Sequence, residues 1–224
     1  QLFNFANDTG TALSNLALNQ HLQLHERALK IKENQPFIAI GGIARISKRQ
    51  AKEKLKAHDG FIFDAAKKYE VDMYLLGAII IDEIARFSSL EDTAEKLSVF
   101  YISRDVSAGV AQVTMETARG LIRDDYYNPD PNAPTLSPSN IGQTSRGYLY
   151  EYVKQPKHCI FFAAAHMRAI IDHWKRFVDL NKRPEIVATL YSIGRGNPHS
   201  SPQASKRGMQ IFEEFYKLAR AWLV

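Results

Sequence analysis

Apolar residues recur along most of this chain at the three- and four-residue spacing of one helix face, and strand-like alternation is scarce. The pattern predicts helices over Leu13–Lys32, Ser47–Lys56, Phe61–Tyr69, Asp72–Phe87 and Thr114–Arg123, and then over Cys159–Val178, Arg183–Ser192 and Gln203–Leu223. Asp72 and Thr114 sit where N-caps belong. Glu116, in the first turn after Thr114, suits the positive end of the helix dipole. The last helix carries Phe212, Phe215 and Trp222 on its apolar side. The best strand signal is PFIAI, Pro36–Ile40, ahead of Gly41-Gly42. Asp124–Gly147 is rich in Pro, Asn, Ser and Asp and predicts a long surface loop. The expected fold class is mainly α: a helical extension over residues 1–60, packed on a compact helical domain over residues 61–224.

One apolar run ends unexpectedly in acid: LLGAIIIDEIARF, Leu75–Phe87. At ~100° per residue, Leu76, Ile79, Ile80, Glu83 and Phe87 share one stripe. Asp82 is turned ~100° from Glu83 and is expected to flank the stripe. A carboxyl among apolar groups keeps its proton to higher pH, because burial disfavours the charge. A carboxylic acid still protonated near neutrality is what a glycosidase uses to protonate a leaving oxygen. The plainer reading is a solvated Glu, or one paired with Arg86 at i+3.

With 224 residues, 45% of them hydrophobic and 24% charged, the chain is globular rather than disordered. No apolar run approaches the ~20 residues of a membrane span. The net charge is +5 and the pI about 9.2, which favours acidic partners: nucleic acid, an anionic membrane, or a cell-wall polymer bearing carboxylates. The chain begins at Gln1, and its first residues lack a signal-peptide pattern. One cysteine, Cys159, excludes an internal disulfide framework and is expected to be a buried small residue.

Three further stretches resemble the soluble lytic transglycosylases and goose-type lysozymes. In VSAGVAQVTMETARGL, Val106–Leu121, the residues Gly109, Gln112, Thr117 and Ala118 match the spacing of the motif that follows that family's catalytic Glu. In Lys154–Trp174, Pro156 and Ile160 are in register with its next helix. In ATLYSIGRGNP, Ala188–Pro198, Tyr191, Gly194 and Gly196 match its AAYNAGPG motif. The resemblance covers about Phe61 to Pro198. It implies a lysozyme-like fold, Glu83 as catalytic acid and base, a Tyr191 hydroxyl bonded to that Glu, and a sugar groove shaped by Gln112 with Ser107, Gly109 and Ala111. Three departures stand out. Ile84 follows Glu83 where the family has Ser. Ala111 replaces the Met of GLMQ and leaves more room in the pocket. Ser192 replaces the Asn of AYNAG. They imply an altered pocket or lost activity.

The resemblance implies cleavage of the β-1,4 bond after N-acetylmuramic acid in peptidoglycan, in an exported protein, periplasmic or extracellular. The outcome stays open between an anhydro product, made with one Glu, and hydrolysis. Hydrolysis by the goose-type route uses Asp residues around the motif. The later position here is Thr114, and Asp105 lies near the earlier one, as a second carboxylate or simply a loop cap. Tyr126, Tyr127 and Tyr148 in or beside the long loop are expected to wall the groove and stack on sugars, unless the loop is a solvated insertion. Neither cofactor nor metal is expected. His21 and His25 have i, i+4 spacing but no third ligand. A monomer acting on glycan strands is the expected state. Two rivals remain. One is a wall-binding module without catalysis. The other is a nucleic-acid-binding protein using Arg45, Lys48, Arg49 and Lys52, which is weakened by the lack of any DNA-binding motif.

Overall fold

The computed structural model describes residues 18–20, 22–35, 39–40, 46–87 and 107–223. It is mainly helical. An exposed helix, α1, covers residues 22–33. Then follow α2 (Lys48–Lys56), α3 (Asp59–Tyr69) and α4 (Met73–Phe87). A small antiparallel hairpin pairs β1 (Ser107–Ala108) with β2 (Val113–Thr114), Ser107 opposite Thr114 and Ala108 opposite Val113. Four helices and a C-terminal rod follow: α5 (Met115–Arg123), α6 (Arg146–Val153), α7 (Pro156–Trp174), α8 (Pro184–Ile193) and the rod. The rod runs through α9 (Lys206–Gln210), one π turn (Ile211–Phe215) and α10 (Tyr216–Trp222).

Local sequence explains most of the boundaries. Ser47 caps α2 in a reciprocal box with Gln50: Gln50 N–H donates to Ser47 Oγ at 3.2 Å and Ser47 N–H to Gln50 Oε1 at 2.9 Å. Asp72 caps α4 by accepting from Tyr74 and Leu75 N–H at 2.8 and 3.2 Å. Thr114 caps α5 through Thr117 N–H at 3.1 Å. Pro156 and Pro184 occupy first-turn positions, where a missing N–H is harmless.

The core gathers around α7, whose Phe162, Ala163, Ala164, Met167 and Ile170 are fully buried. α3, α5, α6 and α8 pack on it, and α4 lies between α3 and the C-terminal rod. α2 adds Ala51 and Leu55, both fully buried, to the same core. Residues 36–38 of the expected strand lie outside the described residues, and Ala39 and Ile40 are not in a strand. The hairpin and α6 were not anticipated from the pattern. The connection runs from 124 to 145, since residues 146 and 147 of the expected loop already belong to α6, and it carries two 3₁₀ turns, Pro134–Leu136 and Ile141–Gln143. Their Leu136 and Ile141 side chains are buried.

Candidate active site

α4 delivers two carboxylates into the interior, not one. Asp82 is fully buried and Glu83 is 6% exposed. The expectation that Asp82 flanks the buried stripe is corrected. α4 is covered on one side by α3 and on the other by the C-terminal rod, so a residue turned ~100° off the stripe is still inside.

Both acids converge on Arg207 of α9. Its Nε donates to Asp82 Oδ2 at 2.7 Å, and one terminal nitrogen donates to Glu83 Oε1 at 2.5 Å. Arg86, the expected i+3 partner of Glu83, instead lies 3.9 Å from Asp82 and donates to the Ile40 carbonyl. Asp82 Oδ1 is buried without a hydrogen bond among the described residues. Burial pushes the Glu83 carboxyl up from 4.5 to about 7; the Arg207 charge pulls it back down, and the Asp82 charge adds to the rise. Asp82 is raised too, again by burial, against the pull of Arg207 and Arg86. Burial outweighs ion pairing for both groups.

Arg207 reaches this place because α9 lies unusually close to α8. A Cβ on Gly208 would stand 2.6 Å from the Glu185 carbonyl and would also strike the Thr189 hydroxyl. Thr189 seals the contact by donating to Glu185 O at 2.8 Å and accepting from Ser205 N–H at 3.0 Å. Ser205 in turn caps α9 through Gly208 N–H at 3.0 Å.

The motif after the candidate Glu forms the hairpin turn. Gly109 has φ +72°, and a Cβ there would lie 2.7 Å from both Cys159 Sγ and the Val153 carbonyl. Gln112 is also left-handed, φ +47°; its side chain accepts from Ser107 Oγ at 2.8 Å and donates to Gly109 O at 3.0 Å. Ala111 is fully buried. Its N–H points to Cys159 Sγ at 3.4 Å and its carbonyl accepts from the Tyr191 hydroxyl at 2.9 Å. The room expected where Met is missing is therefore interior rather than groove. The implied Tyr191 bond to Glu83 is also corrected, since the hydroxyl donates to Ala111. Burial raises the Tyr191 phenol, with smaller contributions from the Cys159 and Glu83 charges, which places the phenol within electrostatic reach of Glu83. Cys159 is buried, as expected.

Tyr191 also lines a cleft of about 420 Å³, together with Thr114, Thr117, His166, Ser192 and Arg195. Burial and the Arg195 charge hold His166 neutral, down to about 4. The expectation that Tyr127 stacks on sugars is corrected: it is 8% exposed and packs against Phe162 and Phe161 at 4.7 and 5.6 Å between ring centroids. Tyr126 is half-buried, with its hydroxyl 3.4 Å from Asp172, and Tyr148 is exposed. Asp105, His21 and Arg45 lie outside the described residues. Among the described residues no group of three or more His, Cys, Asp or Glu is arranged to hold a metal.

Sequence reasoning placed Glu83 on the buried side of α4, where the structure has it, but gave no sign of Arg207, of His166 in the cleft or of the burial of Asp82. The one available signal for Arg207 was a Ser-Lys-Arg-Gly cap sequence, which by itself says nothing about a partner on α4. No family model and no curated protein matches the chain.

Proposed function

We propose that this protein is an exported, monomeric muramidase that cleaves the β-1,4 bond between N-acetylmuramic acid and N-acetylglucosamine in peptidoglycan, with Glu83 as its acid and base. The observation that carries this reading is a nearly buried glutamic acid whose carboxyl stays protonated to about pH 7. One oxygen, Oε1, is held by Arg207. The other is free of hydrogen bonds to the described residues and is the oxygen from which the proton leaves. Glu83 gives that proton to the glycosidic oxygen as the C1–O bond breaks. The resulting carboxylate, stabilised by Arg207, then takes a proton from the attacking hydroxyl. That hydroxyl is the muramic acid 6-OH in the anhydro outcome and water in the hydrolytic one. The cleft beside Tyr191 is the proposed seat of the glycan; Glu83 is not among the residues that line it, so the scissile bond has to reach the acid past Tyr191.

A second reading follows from the same cluster. Two close contacts to Arg207 also suit a structural ion network, which would make the chain a wall-binding module without catalysis. The test is a digest of purified peptidoglycan, native and deacetylated, by wild type and Glu83→Gln, read by mass spectrometry. Anhydro or reducing-end fragments released only by wild type support the enzyme. Binding to the wall without any fragments supports the module.

A further inference from the structure

We propose a second site, a membrane-surface groove for anionic lipid, formed where α1, α2 and α10 meet. It shares no residue with the cleft or the carboxylate cluster. The groove encloses about 460 Å³. Four cations line it: Lys32 of α1 and Lys48, Arg49 and Lys52 of α2. Leu29, Leu218 and Trp222 form its apolar lining, and Glu33 is its single acid. The backbone ties α1 to α2 here, with Lys48 N–H donating to Gln35 O at 3.4 Å.

Three observations point to lipid. First, charge is concentrated at this place. α1 and α2 together carry eight Lys and Arg against three Asp and Glu, which leaves 21 of each sign for the rest of the chain. The whole net charge of +5 therefore resides on these two helices. Second, the four cations are unpaired. None forms an ion pair with a described carboxylate, whereas Arg86, Arg119, Arg146, Arg168, Arg195 and Arg207 all do. Third, the cations surround apolar side chains, and α1 exposes more of them: Leu22, Leu24, Leu29 and Ile31 are 47–65% exposed. On the helix wheel Leu22 and Leu29 share one side, and Leu24 and Ile31 the opposite one. A free phosphate would use only the cations. An anionic lipid uses both, the headgroup on Lys48, Arg49 and Lys52 and the acyl carbons on Leu29 and Leu218.

The test is sedimentation of the whole chain with vesicles of phosphatidylcholine, alone or mixed with phosphatidylglycerol. Wild type is expected to sediment only with the anionic vesicles. Each surface cation near an anionic leaflet is worth about five-fold in partitioning, so Lys48→Gln/Arg49→Gln/Lys52→Gln should lower it on the order of 100-fold. Leu29→Asp should also release the protein. Arg49 and Leu29 are exposed and Lys48 and Lys52 half-buried, and matched thermal melts would verify the fold. Equal sedimentation with neutral vesicles, or an unaltered Leu29→Asp, would overturn the proposal. So would a DNA duplex that strips the protein from the vesicles, which would favour a nucleic-acid partner.

Discussion

Arg207 and Glu83, 124 positions apart in the chain, meet at 2.5 Å in the interior. Asp82 accepts from the same guanidinium at 2.7 Å. Removing the cation would strand both acids without their main partner. Breaking a buried pair by deleting one member costs about 3–5 kcal/mol. Arg207→Met is therefore expected to lose roughly that much stability at pH 8, and less at pH 5, where the carboxyls take up protons. Urea unfolding at the two pH values measures it. Equal losses at both would show that packing, not charge, is at stake.

The raised Glu83 carboxyl links stability to pH. Its folded value, about 7, lies above its ordinary 4.5, so the folded state binds the extra proton between those values. Its stabilising contribution is complete below about pH 4.5 and is lost as pH rises through 7, at up to roughly 1.4 kcal/mol per pH unit. Glu83→Gln should remove this contribution, leaving the decline due to Asp82 and the opposing rise due to His166, whose folded value of about 4 lies below its ordinary 6.5. A Glu83→Gln stability profile with the same slope as wild type between pH 5 and 7 would contradict the burial argument. If Glu83 is the acid of the proposed reaction, activity should also fall above about pH 7.

The approach of α9 to α8 depends on a missing side chain. Gly208→Ala would press a methyl group against the Glu185 carbonyl, which belongs to the backbone and has little freedom to yield. Such overpacking typically costs about 1–3 kcal/mol. Because Arg207 is the adjacent residue, the variant should, if the proposed function holds, also lose glycan cleavage while staying folded. A variant that melts and cleaves like wild type would mean the two helices part without moving the guanidinium.

Tyr191→Phe removes a single hydroxyl, the one bonded to Ala111 O at 2.9 Å. The expected stability loss is about 1 kcal/mol. If the hydroxyl serves only to pin the hairpin turn to α8, the loss will appear in thermal unfolding with little change in the pH dependence of cleavage. A marked shift of that pH profile would mean that the phenol acts on Glu83 directly.

The helices were legible wherever a cap and an apolar stripe coincided. Asp72 before α4 and Thr114 before α5 are examples, and the structure places both caps as read. Glu83 was legible because an acid in phase with Leu76, Ile79 and Ile80 has nowhere to go but inward. Asp82 was not, because periodicity describes one face of a helix and cannot reveal that α4 is covered on two sides. α6 was hidden because RGYLYEYV mixes aromatic and polar residues without a clear stripe. The hairpin was hidden because its strands have only two residues each, and its turn depends on the left-handed Gly109 and Gln112. Arg207 was invisible for a different reason: an ion pair across 124 residues leaves no local trace.

The π turn at Ile211–Phe215 carries a consequence for how this chain tolerates length changes. A π turn accommodates one residue more than an α-helix would, and so rotates everything before it by ~100° relative to everything after it. At one end of the rod Arg207 faces α4's two acids; at the other, Ala219 and Leu223 pack against Gly77 of the same helix. The two contacts are in phase only with that additional residue present. Deleting one residue from 211–215 would leave a regular helix of almost unchanged composition, yet it would force a choice between seating the hydrophobic end and keeping the guanidinium on its carboxylates. In this rod, spacing matters to the packing as much as side-chain identity does.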